Sequence, residues 1–191
     1  MIKLNWILLG LGITAAAVAG CITAACCRRS AQSNDDIDGG VVKRHWADAP
    51  KVIESTEITE FHGEISLFAS YETDGLGHRV YRLGAVVRDG EVLVTYDWHD
   101  RQGKSDKAEY KADTDFMARL QEIVAAHDFA QYNGYYHTVS GLPDMYGETL
   151  HIIYASGERI DVHDNQSGFL PLQAERALIM LFGAATQPET K

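Results

Sequence analysis

The chain has 191 residues, 17 Lys and Arg against 27 Asp and Glu, and a formal net charge of −10. Its length allows one domain of ordinary size with its own core. A chain this negative repels phosphate backbones, which excludes nucleic acid as a partner, and the same charge opposes lying flat on an anionic membrane.

All three cysteines, Cys21, Cys26 and Cys27, fall near the N-terminus. No disulfide framework is therefore expected in the domain that follows. The N-terminus opens with Lys3, continues through an uncharged apolar run from Trp6 to Ala17, and closes with Val18-Ala19-Gly20-Cys21. That pattern resembles the lipobox of bacterial lipoprotein signal peptides: an aliphatic residue, a small residue, Gly or Ala, then Cys. The resemblance implies cleavage after Gly20, a lipid on Cys21, and a protein held to the membrane and facing outside the cytoplasm. Several acyl chains anchor stably where one binds weakly. A competing expectation is an uncleaved single span over Leu4 to Cys27, which is long enough to cross a bilayer. Arg28 and Arg29 follow it directly and favour a cytoplasmic domain.

The resulting organisation is a signal peptide over 1–20, a lipidated and acidic polar tether over 21–55, a globular domain over 56–183 and a tail over 184–191. Within the tether, Asn34, Asp36, Asp38 and Gly39 match ligand and turn positions of a calcium loop. The bidentate Glu that such a loop needs at its last position is replaced by His45, so a solvated acidic linker is expected instead.

Ile65, Leu67, Ala69 and Tyr71 alternate and predict a strand within Ile58 to Tyr71. Val80 to Val87 and Glu91 to Trp98 predict a hairpin across Arg88-Asp89-Gly90. Its apolar residues divide into Val86, Val92, Val94 and Trp98 on one face and Leu83, Ala85, Val87 and Leu93 on the other, which predicts a pair covered on both sides. Lys107 to Lys111 add an edge strand. Asp113-Thr114-Asp115 then open a helix whose Phe116, Leu120, Ile123 and Val124 form one stripe, ending near His127-Asp128. Thr149 to His163 form a second hairpin. A three-residue loop, Ala155-Ser156-Gly157, puts Leu150, Ile152, Tyr154, Ile160 and Val162 on one face, so that register is expected. A last helix starts at Pro171 and runs to Phe182, with Gly183 at its end. The order β-β-β-(β)-α-β-β-α predicts an α+β fold, with an antiparallel sheet of about five to six strands and two helices on one face. The domain resembles those of uncharacterised bacterial lipoproteins, a likeness that implies no activity.

Between the first helix and the second hairpin, Tyr132 to Tyr146 holds four of the nine tyrosines. Gly134, Gly141, Pro143 and Gly147 punctuate it, which predicts a long shaped loop, the kind that often carries function. Tyr132, Tyr135, Tyr136 and Tyr146 offer flat apolar rings with polar tips, and Asn133, His137 and Asp144 offer directional contacts, a set suited to sugars or peptides. The bland alternative is that these rings close the sheet edge. Asp164 and Asn165 are expected nearby.

In the expected register His151 faces Asp161, with His163 diagonal to it. Two imidazoles and a carboxylate suit zinc, but a strand face of alternating charge is ordinary solvated surface, and neither metal nor cofactor is expected. No catalytic residue is assigned. Ser140 lacks a nucleophile elbow, and Glu64, Glu72, Glu148 and Glu158 offer carboxylates without a spacing that selects a pair. The expectation is a membrane-anchored binding domain for a cell-wall glycan, a peptide or an envelope protein. The alternatives are an envelope hydrolase and a single-span protein with a cytoplasmic domain.

Overall fold

A computed structural model of the chain describes residues 36–38, 40–67, 79–113, 115–140 and 147–184. Cys21, Asp144 and Tyr146 lie outside the described residues, as do Asn34 and Gly39. Strands β1 (Asp36–Asp38), β2 (Val41–His45), β3 (Ile58–Ser66), β4 (Arg79–Arg88), β5 (Glu91–Asp100) and β6 (Ser105–Ala112) come first. Helix α1 (Asp115–Ala126), a 3₁₀ turn (Phe129–Tyr132), β7 (Tyr135–Val139), β8 (Glu148–Tyr154), β9 (Arg159–Asp164) and α2 (Leu172–Gly183) follow.

The strands form one nine-stranded sheet in the order β1-β2-β7-β9-β8-β3-β4-β5-β6. This overturns the expected antiparallel arrangement of five to six strands with two helices on one face. The sheet is larger, and it is mixed, because β7 runs parallel to β9. The added strands come from segments with weak patterns. Residues 36–45, read as tether, supply β1 and β2, and the Tyr-rich segment read as a loop supplies β7.

Both hairpin turns follow from local chemistry. Asp89 and Gly90 take φ of 52° and 79°, the two left-handed positions of a tight two-residue turn. Gly157 takes φ of 85° and closes the β8–β9 loop, with the Tyr154 N–H donating to the Glu158 carbonyl at 3.0 Å. Ile152 therefore pairs with Ile160 and Leu150 with Val162, the register that the apolar alternation selects.

The division of faces expected for β4 and β5 does not hold. A two-residue turn pairs Ala85 with Val94 and Val86 with Leu93. Directly paired residues share a face. Leu83 and Ala85 thus lie with Val92 and Val94 in the core, while Val86 and Leu93 lie on the opposite side, where Leu93 remains 36% exposed.

The core joins the Phe61–Ile65 side of the sheet to the helix stripes. Phe61, Tyr81, Leu83, Ala85, Val94, Leu150, Ile152 and Ile160 are buried with Phe116, Leu120, Leu178 and Phe182. Burial of each large side chain contributes about 1.5–3 kcal/mol. The Phe182 ring stands 5.4 Å from Phe61 and 5.1 Å from Phe116, which joins sheet, α1 and α2 at one point. Tyr110 on β6 donates to the Phe182 carbonyl at 2.7 Å, satisfying a helix-end acceptor. No helix among the described residues is long and apolar enough to cross a membrane.

Asn133 fixes how β7 joins the sheet. Its Nδ2 donates to the Arg159 and Pro50 carbonyls, both at 2.9 Å, and its Oδ1 accepts from the Asp161 N–H at 2.9 Å. The next residue, Gly134, donates its N–H to the Asp161 carbonyl at 2.8 Å. Lys51 reaches the Gln131 and Asn133 carbonyls, and burial lowers its pKa from the usual lysine value. Asn133→Ala is expected to lower the unfolding free energy by about 3 kcal/mol or more. Each buried partner left unsatisfied costs about 1–3 kcal/mol, and urea unfolding midpoints measure the loss. Asn133→Asp keeps the acceptor, loses both donors, and is expected to fare no better.

Candidate functional site

Strand alternation divides the Tyr-rich segment between two surfaces. Tyr135 and His137 point to the side of Asp164. His137 donates through Nδ1 to Asp164 Oδ2 at 3.0 Å, and Tyr135 OH donates to the same oxygen at 3.5 Å. Asp164 Oδ1 accepts from the Gln166 and Ser167 amides at 2.8 and 2.9 Å. The Asp164 side chain is 6% exposed and that of His137 14%. Burial raises the Tyr135 pKa above its usual value, and the nearby Asp164 charge adds to the rise. Tyr132 packs on Phe169 at 5.4 Å and belongs to the core margin. Asn133 has its amide committed to the joint described above.

Glu148 pairs with Asp164 across β8 and β9, which brings a second carboxyl to this end of the sheet. It is 1% exposed, and Glu175 on α2 is 7% exposed. Glu148 Oε2 accepts from the Phe169 and Leu170 amides at 2.6 and 2.7 Å. Burial, and then the neighbouring Glu175 carboxyl, push the Glu148 pKa up to about 9. Burial raises Glu175 as well, against the opposing pull of Glu148 as a donor and of Arg176. The pair thus carries a proton at neutral pH, with Oε2 of Glu148 holding the chain that leads into α2. Sequence reading placed Glu148 among four unselected glutamates and passed over Glu175. An acid at an inward position of an alternating strand was the available signal.

On the opposite side of the sheet, Tyr136 stacks on His163 with centroids 4.8 Å apart. Trp46 meets the Tyr136 ring edge-on at 6.2 Å, and the Arg44 guanidinium lies 5.7 Å from its centroid. His163 Nδ1 bonds Thr149 Oγ1 at 2.9 Å. His151 Nδ1 contacts Asp161 Oδ1, and its ring runs nearly parallel to that of His62 at 6.4 Å. The structure therefore brings His151 to Asp161 but turns His163 to Tyr136 and Thr149. Among the described residues, no group of three His, Cys, Asp or Glu side chains is placed to hold a metal ion. Glu64 pairs with Arg82 at 2.9 Å on this open side, and Glu158 accepts the Glu54 and Ser55 amides at 3.0 Å. Glu72 lies outside the described residues.

No family model matches the chain, and neither a curated protein nor a solved structure matches it. The chemistry is therefore read from geometry. The inner cluster has an oriented imidazole and a protonated acid. Among the described residues it has no nucleophile hydrogen-bonded to His137 Nε2, and Glu148 is closed off from solvent. The outer face has the half-buried Tyr136 and His163 rings beside the exposed Trp46.

The carboxyl pair gives a signed pH dependence. Glu148 ionises near its ordinary 4.5 when unfolded and near 9 when folded. Between those values the native state holds a proton that the unfolded chain has released. Stability from this group is greatest below the window and falls as pH rises through it, by at most about 1.4 kcal/mol per pH unit. Glu148→Gln retains a donor and an acceptor without the titration. Urea midpoints are expected to fall from pH 5 to pH 8 in the natural chain and to change far less in the variant. Equal slopes would remove Glu148 as the cause.

Proposed function

We propose that this chain is a membrane-anchored extracytoplasmic binding domain that takes its ligand on the open face of the sheet. The observation that carries the reading is the placement of Tyr136. It leaves the inner side on which Tyr135 and His137 lie and joins Trp46, Arg44 and His163 in a half-exposed cluster. Flat rings beside a guanidinium and an imidazole suit a sugar ring or a peptide surface: the rings supply apolar area, and the polar groups read direction. The anchor in this reading is the lipid that the Val18-Ala19-Gly20-Cys21 pattern implies.

The hydrolase alternative draws support from the raised Glu148. That residue is 1% exposed and spends Oε2 on two main-chain amides, so its geometry favours a clamp over a general acid. The single-span alternative draws support from Arg28 and Arg29.

Mass spectrometry of the mature N-terminus from membranes is expected to find an acylated Cys21. An intact Met1 would overturn the anchor and favour the single span. Soluble cell-wall glycan fragments serve as the first probe of the face. Tyr136→Ala is expected to weaken their binding at least about tenfold while the melting temperature stays close to that of the natural chain. Tyr135→Ala, which removes a partner of buried Asp164, is expected to lower stability instead. If Tyr136→Ala unfolds the domain, or binds the fragments unchanged, the glycan surface is not here.

A further inference from the structure

The other half of the open face carries a feature that the Tyr136 cluster does not use. A trough of about 540 Å³ runs over β4 and β5, with His62, Gly84, Val86, Arg88, Leu93 and Thr95 among its lining. Gly84 lies inside a long central strand, where glycine weakens the ladder and often marks close approach of another group. A Cβ at this position would come within 2.4 Å of Thr95 Oγ1 and 3.4 Å of His62 Nδ1. The space a side chain would take is therefore already held by the Thr95 hydroxyl, which only glycine accommodates on this strand. Val86 and Leu93, paired across β4 and β5, continue the floor of the trough as an aliphatic stripe.

The charges around the trough are matched except one. Lys111 pairs with Glu91 at 2.7 Å, Lys107 with Glu109 at 2.6 Å, and His62 with Glu60 at 2.9 Å. Arg88, exposed at the hairpin end, has no partner among the described residues. A guanidinium fork matches a carboxylate through two parallel hydrogen bonds. The Glu91 carboxylate opposite Arg88 is engaged by Lys111, and it repels a doubly charged phosphate more strongly than a singly charged carboxylate. From Arg88 to Gly84 the strand advances roughly 13 Å, at about 3.3 Å per residue. The aliphatic floor between them supplies no hydrogen-bond donor from its side chains.

We infer that this trough is a second binding site, for a free medium-chain alkyl carboxylate whose head meets Arg88 and whose chain lies over Val86 and Leu93 toward Gly84. The site does not rest on the Tyr136 reading. Octanoate is the probe, titrated into the isotope-labelled chain and followed through amide signals. Saturable shifts at Gly84, Val86, Leu93 and Thr95 are expected. Arg88→Glu is expected to weaken the binding at least about tenfold. Because Arg88 is exposed, this variant keeps the fold, which circular dichroism checks. Tyr136→Ala is expected to leave octanoate binding unchanged, which separates the two sites. The proposal is overturned if octanoate gives no saturable shift at millimolar concentration. It is equally overturned if octylamine binds as well, if Arg88→Glu binds unchanged, or if a peptide ending in a leucine carboxylate binds where octanoate does not.

Discussion

At the Arg159 end of β9, the main chain needs hydrogen-bond partners before β7 has come alongside, and the Asn133 amide supplies them. Its oxygen takes the Asp161 N–H and its nitrogen serves the Arg159 carbonyl, as a neighbouring peptide group would. Gly134 then takes over with its own N–H, and the parallel pairing begins at Tyr136 and His163. Everything on that flank depends on this handover. Among the described residues strand β2 pairs with β7 and β1 alone, so losing the joint would free three strands from the sheet. It would also leave polar groups of β9 without partners, which is costly in a buried setting.

Once β7 is locked, alternation gives its residues two different employments. Tyr135 and His137 close over Asp164, in a region where Glu148 and Glu175 share their environment. That side is about stability, since its polar groups bond main-chain amides and each other. Tyr136 is held on the other side by the same backbone and faces groups that solvent reaches. The rigid side thus fixes the position of the receptive one. A ring carried by a strand with an aspartate-anchored neighbour on either side is better oriented than one on a loop.

Much of the fold was legible in the sequence wherever a local rule set it. Asp89-Gly90 fixed one turn, and Gly157 with the alternation of Leu150 to Val162 fixed the other register. The stripes of α1 and α2 were visible at helical spacing. Strand β7 was hidden because Tyr-Tyr-His-Thr-Val has no alternating apolar face, and its partner β9 lies more than 20 residues on. Strands β1 and β2 were hidden by acidic and basic residues that suit an edge as well as a linker. The face error at β4 and β5 was one of parity: both faces hold aliphatics, and only cross-turn pairing tells them apart. Of the suspect residues, sequence reading selected Tyr136 and His137 without seeing that they diverge. Glu148 and Glu175 meet only through tertiary packing, which no spacing announces.

The pairing of β3 with β8 has a temporal meaning. Phe61 meets Ile152 and Gly63 meets Leu150, so the middle of the sheet closes a loop of nearly ninety residues. Long-range pairing of this kind is slow, since chain entropy is lost before contacts return it. The N-terminal half holds the β4–β5 hairpin locally, but β3 cannot gain its second neighbour until β8 has emerged. In this topology the last strands to appear are the ones that complete the centre.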